Sequence, residues 1–140
     1  MEVRGVALLT VCAMLSLGAL SLVPGGWSEA DPNSDWVQKV TAYCVQRYNM
    51  ESNDVTLYSL LSMKSAQQQV VAGVNYKIVF IIGQTTCRKN GNMSLTNCPL
   101  KTGENVKRLQ CESKVNYVPW EENITLQKQT CNPVSEHATQ

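Results

Sequence analysis

The sequence predicts an α+β fold, one amphipathic helix packed on an antiparallel sheet, and three observations carry that prediction. A single stretch, Ser34 to Asn49, places apolar residues at helical spacing. Everything after Asn53 reads as strand and turn. From Leu109 to Tyr117 the polarity alternates with period two, the pattern of a strand with one buried face. A helix followed by a run of strands is the order of a layered α+β domain. The 140 residues fit one domain, with no internal repeat and no long linker.

The elements follow in chain order. Gly5 to Val23 (GVALLTVCAMLSLGALSLV) is almost wholly apolar and nearly long enough to span a bilayer. Its N-terminal position, and the small residues and turn formers after it, mark it as a signal peptide, with a retained anchor as the competing reading. Ala19-Leu20-Ser21 meets the small-x-small cleavage rule. The expected division is therefore a leader over residues 1–21 and a domain over residues 22–140; cleavage as late as Ala30 is the alternative. Pro24 to Pro32 is polar, glycine-bearing and extended. Ser34 or Asp35 caps the helix, whose apolar face is Val37, Val40, Cys44, Val45 and Tyr48; Lys39, Gln46 and Arg47 are left for solvent. Val55 to Gln69 is a weakly patterned strand. Val74 to Ile82 (VNYKIVFII) is nearly continuous in apolar residues, which suggests burial on both faces. Thr85 to Asn105 is an irregular excursion. Leu109, Cys111, Val115 and Tyr117 then face inward, and only Ser113 spoils the inward set. Pro119 stops this strand, and Ile124 to Thr130 supplies the last one.

Composition excludes several functions. Net charge is +1 and the Lys and Arg residues are scattered, with no basic run and no interleaved aromatics, so neither nucleic acid nor another polyanion is an expected partner. The only histidine, His137, lies in a polar tail where no oriented Cys–His pair can form. Carboxylates such as Asp54, Glu104 and Glu121-Glu122 read as solvated loop charges. No enzyme, cofactor or metal is expected, and a binding protein is the better class.

Six cysteines become five when Cys12 leaves with the leader: Cys44, Cys87, Cys98, Cys111 and Cys131. In an oxidising compartment the default is two disulfides and one spare thiol. Cys87 and Cys98 flank a turn-rich loop, which favours a local bridge, and Cys111 with Cys131 would clip the last two strands together. Each closure contributes on the order of 3 kcal/mol. Cys44, on the helix's apolar face, is expected as a buried free thiol. The same compartment makes Asn92-Met93-Ser94 and Asn123-Ile124-Thr125 candidate N-glycosylation sites.

Three glycine or proline interruptions fall at strand ends: Pro24-Gly25-Gly26, Gln69-Val70-Val71-Ala72-Gly73, and Pro119-Trp120. In this order, with the four cysteines, the chain resembles the type-2, secreted cystatins. Gln69, Val71 and Gly73 match that family's Q-x-V-x-G, with Val74-Asn75-Tyr76 as its usual continuation, and Pro119-Trp120 matches its second hairpin. RYNMESND at the helix end resembles its Y-N-x-x-S-N-D. The resemblance implies one long helix on a curved antiparallel sheet of four to five strands, with Cys87–Cys98 and Cys111–Cys131 bridges. It also implies reversible, tight-binding inhibition of papain-like cysteine proteases of the cathepsin type. The protease-binding residues would be Gly25, Gly26, Gln69, Val70, Val71, Ala72, Gly73, Pro119 and Trp120. Ser52, Asn53 and Asp54 would form a second site, against legumain; the competing reading is a plain post-helical turn. Two features depart from the family's pattern: Pro24, where an apolar residue such as valine is usual, and the extra Cys44. A secreted monomer is expected, with a domain-swapped dimer as the alternative state and no membrane contact once the leader is gone. The alternative function is a non-inhibitory cystatin-fold module for interaction or host defence.

Overall fold

The computed structural model describes residues 25–134. The leader expected over residues 1–21, together with Cys12, Pro24 and His137, lies outside that range. Within it are β1 (Ser28–Glu29), α1 (Asp35–Glu51), β2 (Thr56–Val71), β3 (Gly73–Arg88), β4 (Arg108–Val118) and β5 (Asn123–Pro133). The strands pair antiparallel in simple sequence order, β1-β2-β3-β4-β5.

The helix begins where its capping chemistry allows. Ser34 is extended, and its hydroxyl accepts from the Val37 N–H at 3.3 Å, while Asp35 sits favourably in the first turn. The far end runs two residues past Asn49. It stops at Ser52, whose N–H donates to the Tyr48 carbonyl. Val37, Val40, Thr41, Cys44, Val45 and Asn49 form the buried face. They meet Tyr76, Ile78, Phe80 and Ile82 of β3 and Cys111, Val115 and Tyr117 of β4 in one core. Tyr48, half-buried, stands edge-on to Tyr58 at 5.2 Å, an arrangement that aromatic quadrupoles favour.

The pairings of β2 with β3 and of β4 with β5 do not keep a regular register. Pairing of β2 with β3 shifts between Thr56 and Tyr58, Leu60 and Ser62, and Met63 and Ser65; β4 and β5 shift once, between Lys114 and Val115. Each irregularity adds local twist and bend. This explains why Val55 to Gln69 carries so weak a sequence pattern: the alternation is reset three times along its length.

Four expectations need correction. The apolar run of β3 is not buried on both faces. Tyr76, Ile78, Phe80 and Ile82 are buried under the helix, whereas Val79 and Ile81 are only half-covered on a face with no second layer. The strand also extends to Arg88, so the irregular excursion starts after it, at Lys89 rather than Thr85. The last strand reaches Pro133, three residues past Thr130. Ser113 is not a flaw in the inward set: it is buried, and its hydroxyl donates to Gln129 Oε1.

Both disulfides form as expected, Cys87–Cys98 across the excursion and Cys111–Cys131 between directly paired residues of β4 and β5. Cys44 is free and buried. Burial pushes its thiol up to about 11, against the lowering effect of a hydrogen bond with Ser113, so it stays protonated and inert at neutral pH.

One buried amide joins the two layers. The Asn49 side chain donates to the Tyr58 carbonyl and accepts from the Tyr58 N–H, each at 2.9 Å, where β2 departs from its register with β3. Asn49 is 2% exposed, so water cannot replace it. Asn49→Ala is expected to lower the unfolding free energy by about 2–4 kcal/mol, because it strands two buried backbone groups at once. Urea denaturation measures this, and a loss below about 1 kcal/mol would contradict the role.

Candidate functional site

The pairing of β3 with β4 determines which turns share an end of the molecule. Val74, at the start of β3, lies opposite Tyr117, near the end of β4. The β2–β3 turn and the β4–β5 turn therefore stand side by side. The first turn is as short as a hairpin can be, since Val71 pairs with Gly73 and only Ala72 lies between. Gly73 has φ of +97°, and a Cβ there would fall 2.6 Å from the Tyr117 carbonyl oxygen and 3.1 Å from Val118 Cγ2. Glycine is required twice over, for its backbone angle and for the close approach of the neighbouring strand.

The second turn is built by proline. Pro119 opens a short 3-10 turn, Pro119–Glu121, and Glu122 closes it at φ of 50° with its N–H donating to the Pro119 carbonyl. Val118 and Asn123 then pair to start β5. This local geometry leaves Trp120 70% exposed, beside Val70 at 67% and Val71 at 42%. Apolar residues of this size are normally withdrawn from water, so their clustering on two adjacent turns makes this edge the candidate binding surface.

The N-terminal segment joins the same edge. Gln69 Nε2 donates to the Gly25 carbonyl at 3.1 Å, Asn75 Nδ2 donates to Gln69 Oε1 at 3.4 Å, and Asn116 Nδ2 donates to Asn75 Oδ1 at 2.8 Å. This amide relay runs across β4, β3 and β2 to the trunk. β1 pairs Ser28 with Gln68 and Glu29 with Gln67, and Lys77 Nζ sits 4.1 Å from the Trp27 ring centroid, a cation–π contact. Gln67 and Gln68, which look like filler in the sequence, are the residues that β1 pairs with. Gly25 and Gly26 are exposed, and a Cβ at either would meet nothing within 4 Å, so neither is demanded by packing.

Ser52, Asn53 and Asp54 lie at the opposite end, beyond the helix C-terminus. Lys89 Nζ donates to both the carbonyl and the hydroxyl of Ser52, at 2.9 and 2.8 Å. Asp54 accepts from the Thr56 N–H and the Tyr58 hydroxyl. Burial alone would raise the Asp54 carboxyl; those two donors and the Lys107 and Lys89 charges outweigh it and hold the carboxyl below its ordinary value. Asn53 stays exposed between two anchored neighbours. The β2 strand separates this turn from the first by about 50 Å of extended chain. Asn92 is exposed in the excursion, and Asn123 is exposed at the start of β5, just past Trp120.

Of the relay partners, Asn75 belongs to the Val74-Asn75-Tyr76 continuation of the motif, where nothing marks its role, and Asn116 carries no sequence signal of its own. Each is a polar residue on an outward strand position, and only the strand register shows that they face each other and Gln69.

A family model described as the cystatin domain matches residues 25–120. Cystatin-D of Mus musculus is 37% identical over 114 residues, covering 81% of this chain and 76% of the relative. Cystatin-C of Saimiri sciureus is 36% identical over 124 residues, covering 88% and 84%. Among solved structures, dimeric human cystatin F superposes with a TM-score of 0.75 at 28% identity, covering 90% of this chain and all of that one. The fold, the two disulfides and the turn-borne edge thus coincide with sequence kinship over most of the chain, and the protein belongs to the cystatin family.

Proposed function

We infer that the protein is a secreted, monomeric, reversible inhibitor of papain-like cysteine proteases, acting as a wedge in the active-site cleft. It is an inhibitor rather than an enzyme, as membership of the cystatin family implies. The observation that carries the reading is the edge formed by Val70, Val71 and Trp120 on two turns held abreast by Gly73. Cleavage by such a protease needs an extended chain with its carbonyl aligned against the thiolate. A hairpin with one residue at its tip, and a 3-10 turn, present no such carbonyl, so the cleft is filled without a peptide bond being offered.

The energetics fit tight binding. Protease–inhibitor interfaces bury roughly 1,600 Å². Turns that are already ordered avoid much of the entropic cost of association. Trp120 supplies the largest apolar contact, Pro119 fixes its approach, and Val71 adds area with little rotamer loss. Gln69 acts indirectly, by holding the carbonyl of Gly25 and so aiming the trunk of Gly25 and Gly26 at the non-primed side. Asn92 and Asn123 are glycan acceptors on this reading, both on open surface.

At the other end, Asn53 is proposed to enter the specificity pocket of legumain, which is selective for asparagine. The support for this second reading is the bracing of Ser52 by Lys89 and of Asp54 by Thr56 and Tyr58, which leaves only Asn53 projecting.

Titration of active papain with the purified protein is expected to give stoichiometric inhibition. Trp120→Ala should weaken it by about thirtyfold or more, the ~2 kcal/mol of an interface hot spot. Absence of inhibition at micromolar concentration would overturn the reading in favour of a non-inhibitory module. Asn53→Lys is expected to abolish legumain inhibition and leave papain inhibition intact; a variant that still inhibits legumain would rule the second site out.

A further inference from the structure

The lysines that are scattered in the sequence are not scattered in the fold. Strand register places Lys77 of β3 opposite Lys114 of β4, and Lys114 opposite Lys128 of β5. Directly paired residues share a face, so all three side chains stand on the side of the sheet away from the helix, and all three are exposed. They border a shallow depression of about 360 Å³ whose rim also carries Ser65, Glu112 and Thr130. Neighbouring strands lie about 4.8 Å apart, so the backbone positions of the three lysines span about 10 Å.

Like charges directly opposite one another are destabilising, and the acid in the same row, Glu29, stands beyond Gln67, two strands from Lys77. Between described residues the one ion pair is Arg47–Glu51, on the helix. Glu112 lies in the next row, opposite Val79 and Thr130, and forms no ion pair with any of the three. Lys77 rests against Trp27, which orients it and leaves its charge unneutralised.

We propose that the row Lys77–Lys114–Lys128 is a docking site for a sulfated polysaccharide chain, on the face of the sheet away from the helix. Charge complementarity decides the occupant: an extended chain bearing several sulfate groups within about 10 Å would neutralise three cations at once, and Ser65 and Thr130 can donate to its remaining oxygens. Nucleic acid fits less well, because Trp27 is covered by Lys77 and the row offers bases no stacking platform. A lipid surface also fits less well, because the exposed large apolar side chains, Val70, Val71 and Trp120 among them, are not part of this row.

Calorimetry of the full chain with a sulfated heparin hexasaccharide at physiological salt tests this. Binding is expected, weakening as salt rises and falling by about tenfold or more in Lys114→Gln/Lys128→Gln and by a comparable factor in Lys128→Glu, because each lowers the charge of the row by two and fewer counterions are released on binding. Lys101→Gln, an exposed lysine of the excursion, should bind as the parent does. The double variant should melt at or above the parent temperature, since it relieves like-charge repulsion, and it should inhibit papain as the parent does. No binding, or equal loss in Lys101→Gln, overturns the proposal. So does lysine-dependent binding of phosphatidylserine vesicles, or of inorganic phosphate, without binding of the hexasaccharide.

Discussion

The contact on which the arrangement of the two turns depends is between Gly73 and the Tyr117 carbonyl. No other residue could start β3 at φ of +97° with the backbone of β4 within van der Waals reach. Because that approach is allowed, β3 and β4 stay paired from Gly83–Arg108 all the way to Val74–Tyr117. The first turn then stands level with the second, where Pro119 and Glu122 fold the chain back. Were Gly73 to move away, Val118 and the turn carrying Trp120 would lose the neighbour that sets their position. The Asn116–Asn75–Gln69 relay would also be broken at its middle, releasing the carbonyl of Gly25.

The two ends of the sheet are held by different physics. At the Gly73 end, close backbone approach and side-chain amides leave apolar residues outside, ready for contact. At the Asn53 end, buried polar groups do the fixing: Asn49 satisfies both backbone groups of Tyr58, and the Thr85 hydroxyl donates to the Leu57 carbonyl. The core between them is apolar and continuous from Val37 to Ile82, so both ends share one rigid frame. The free thiol of Cys44 lies inside this core, where its high pKa keeps it from exchanging with either disulfide.

What could be read from the sequence was whatever is written in neighbouring residues. Ser34 or Asp35 announces the helix start, the alternation through Leu109 and Tyr117 shows which face is buried, and Gly73 and Pro119 punctuate the strands. The disulfides followed from spacing and family resemblance together. What could not be read needs a partner from another strand. Asn75 and Asn116 look like ordinary outward polar positions until the register sets them together. Lys77, Lys114 and Lys128 look isolated for the same reason. The apolar run VNYKIVFII suggested two buried faces because hydrophobicity alone does not say how many layers cover a strand; Val79 and Ile81 face a side with no second layer. Ser113 looked like an error because its partner, Gln129, is sixteen residues away.

Gly73→Ala tests the central claim most directly, through its inhibition constant for papain measured beside its far-ultraviolet circular dichroism. The substitution adds one methyl group where backbone strain and a clash coincide, at a cost on the order of 1–3 kcal/mol that falls on the placement of the two turns. The expected result is a chain with native circular dichroism whose inhibition is weaker by about tenfold or more. Native circular dichroism with an unchanged inhibition constant would show that the approach of Gly73 to Tyr117 does not set the geometry of the wedge.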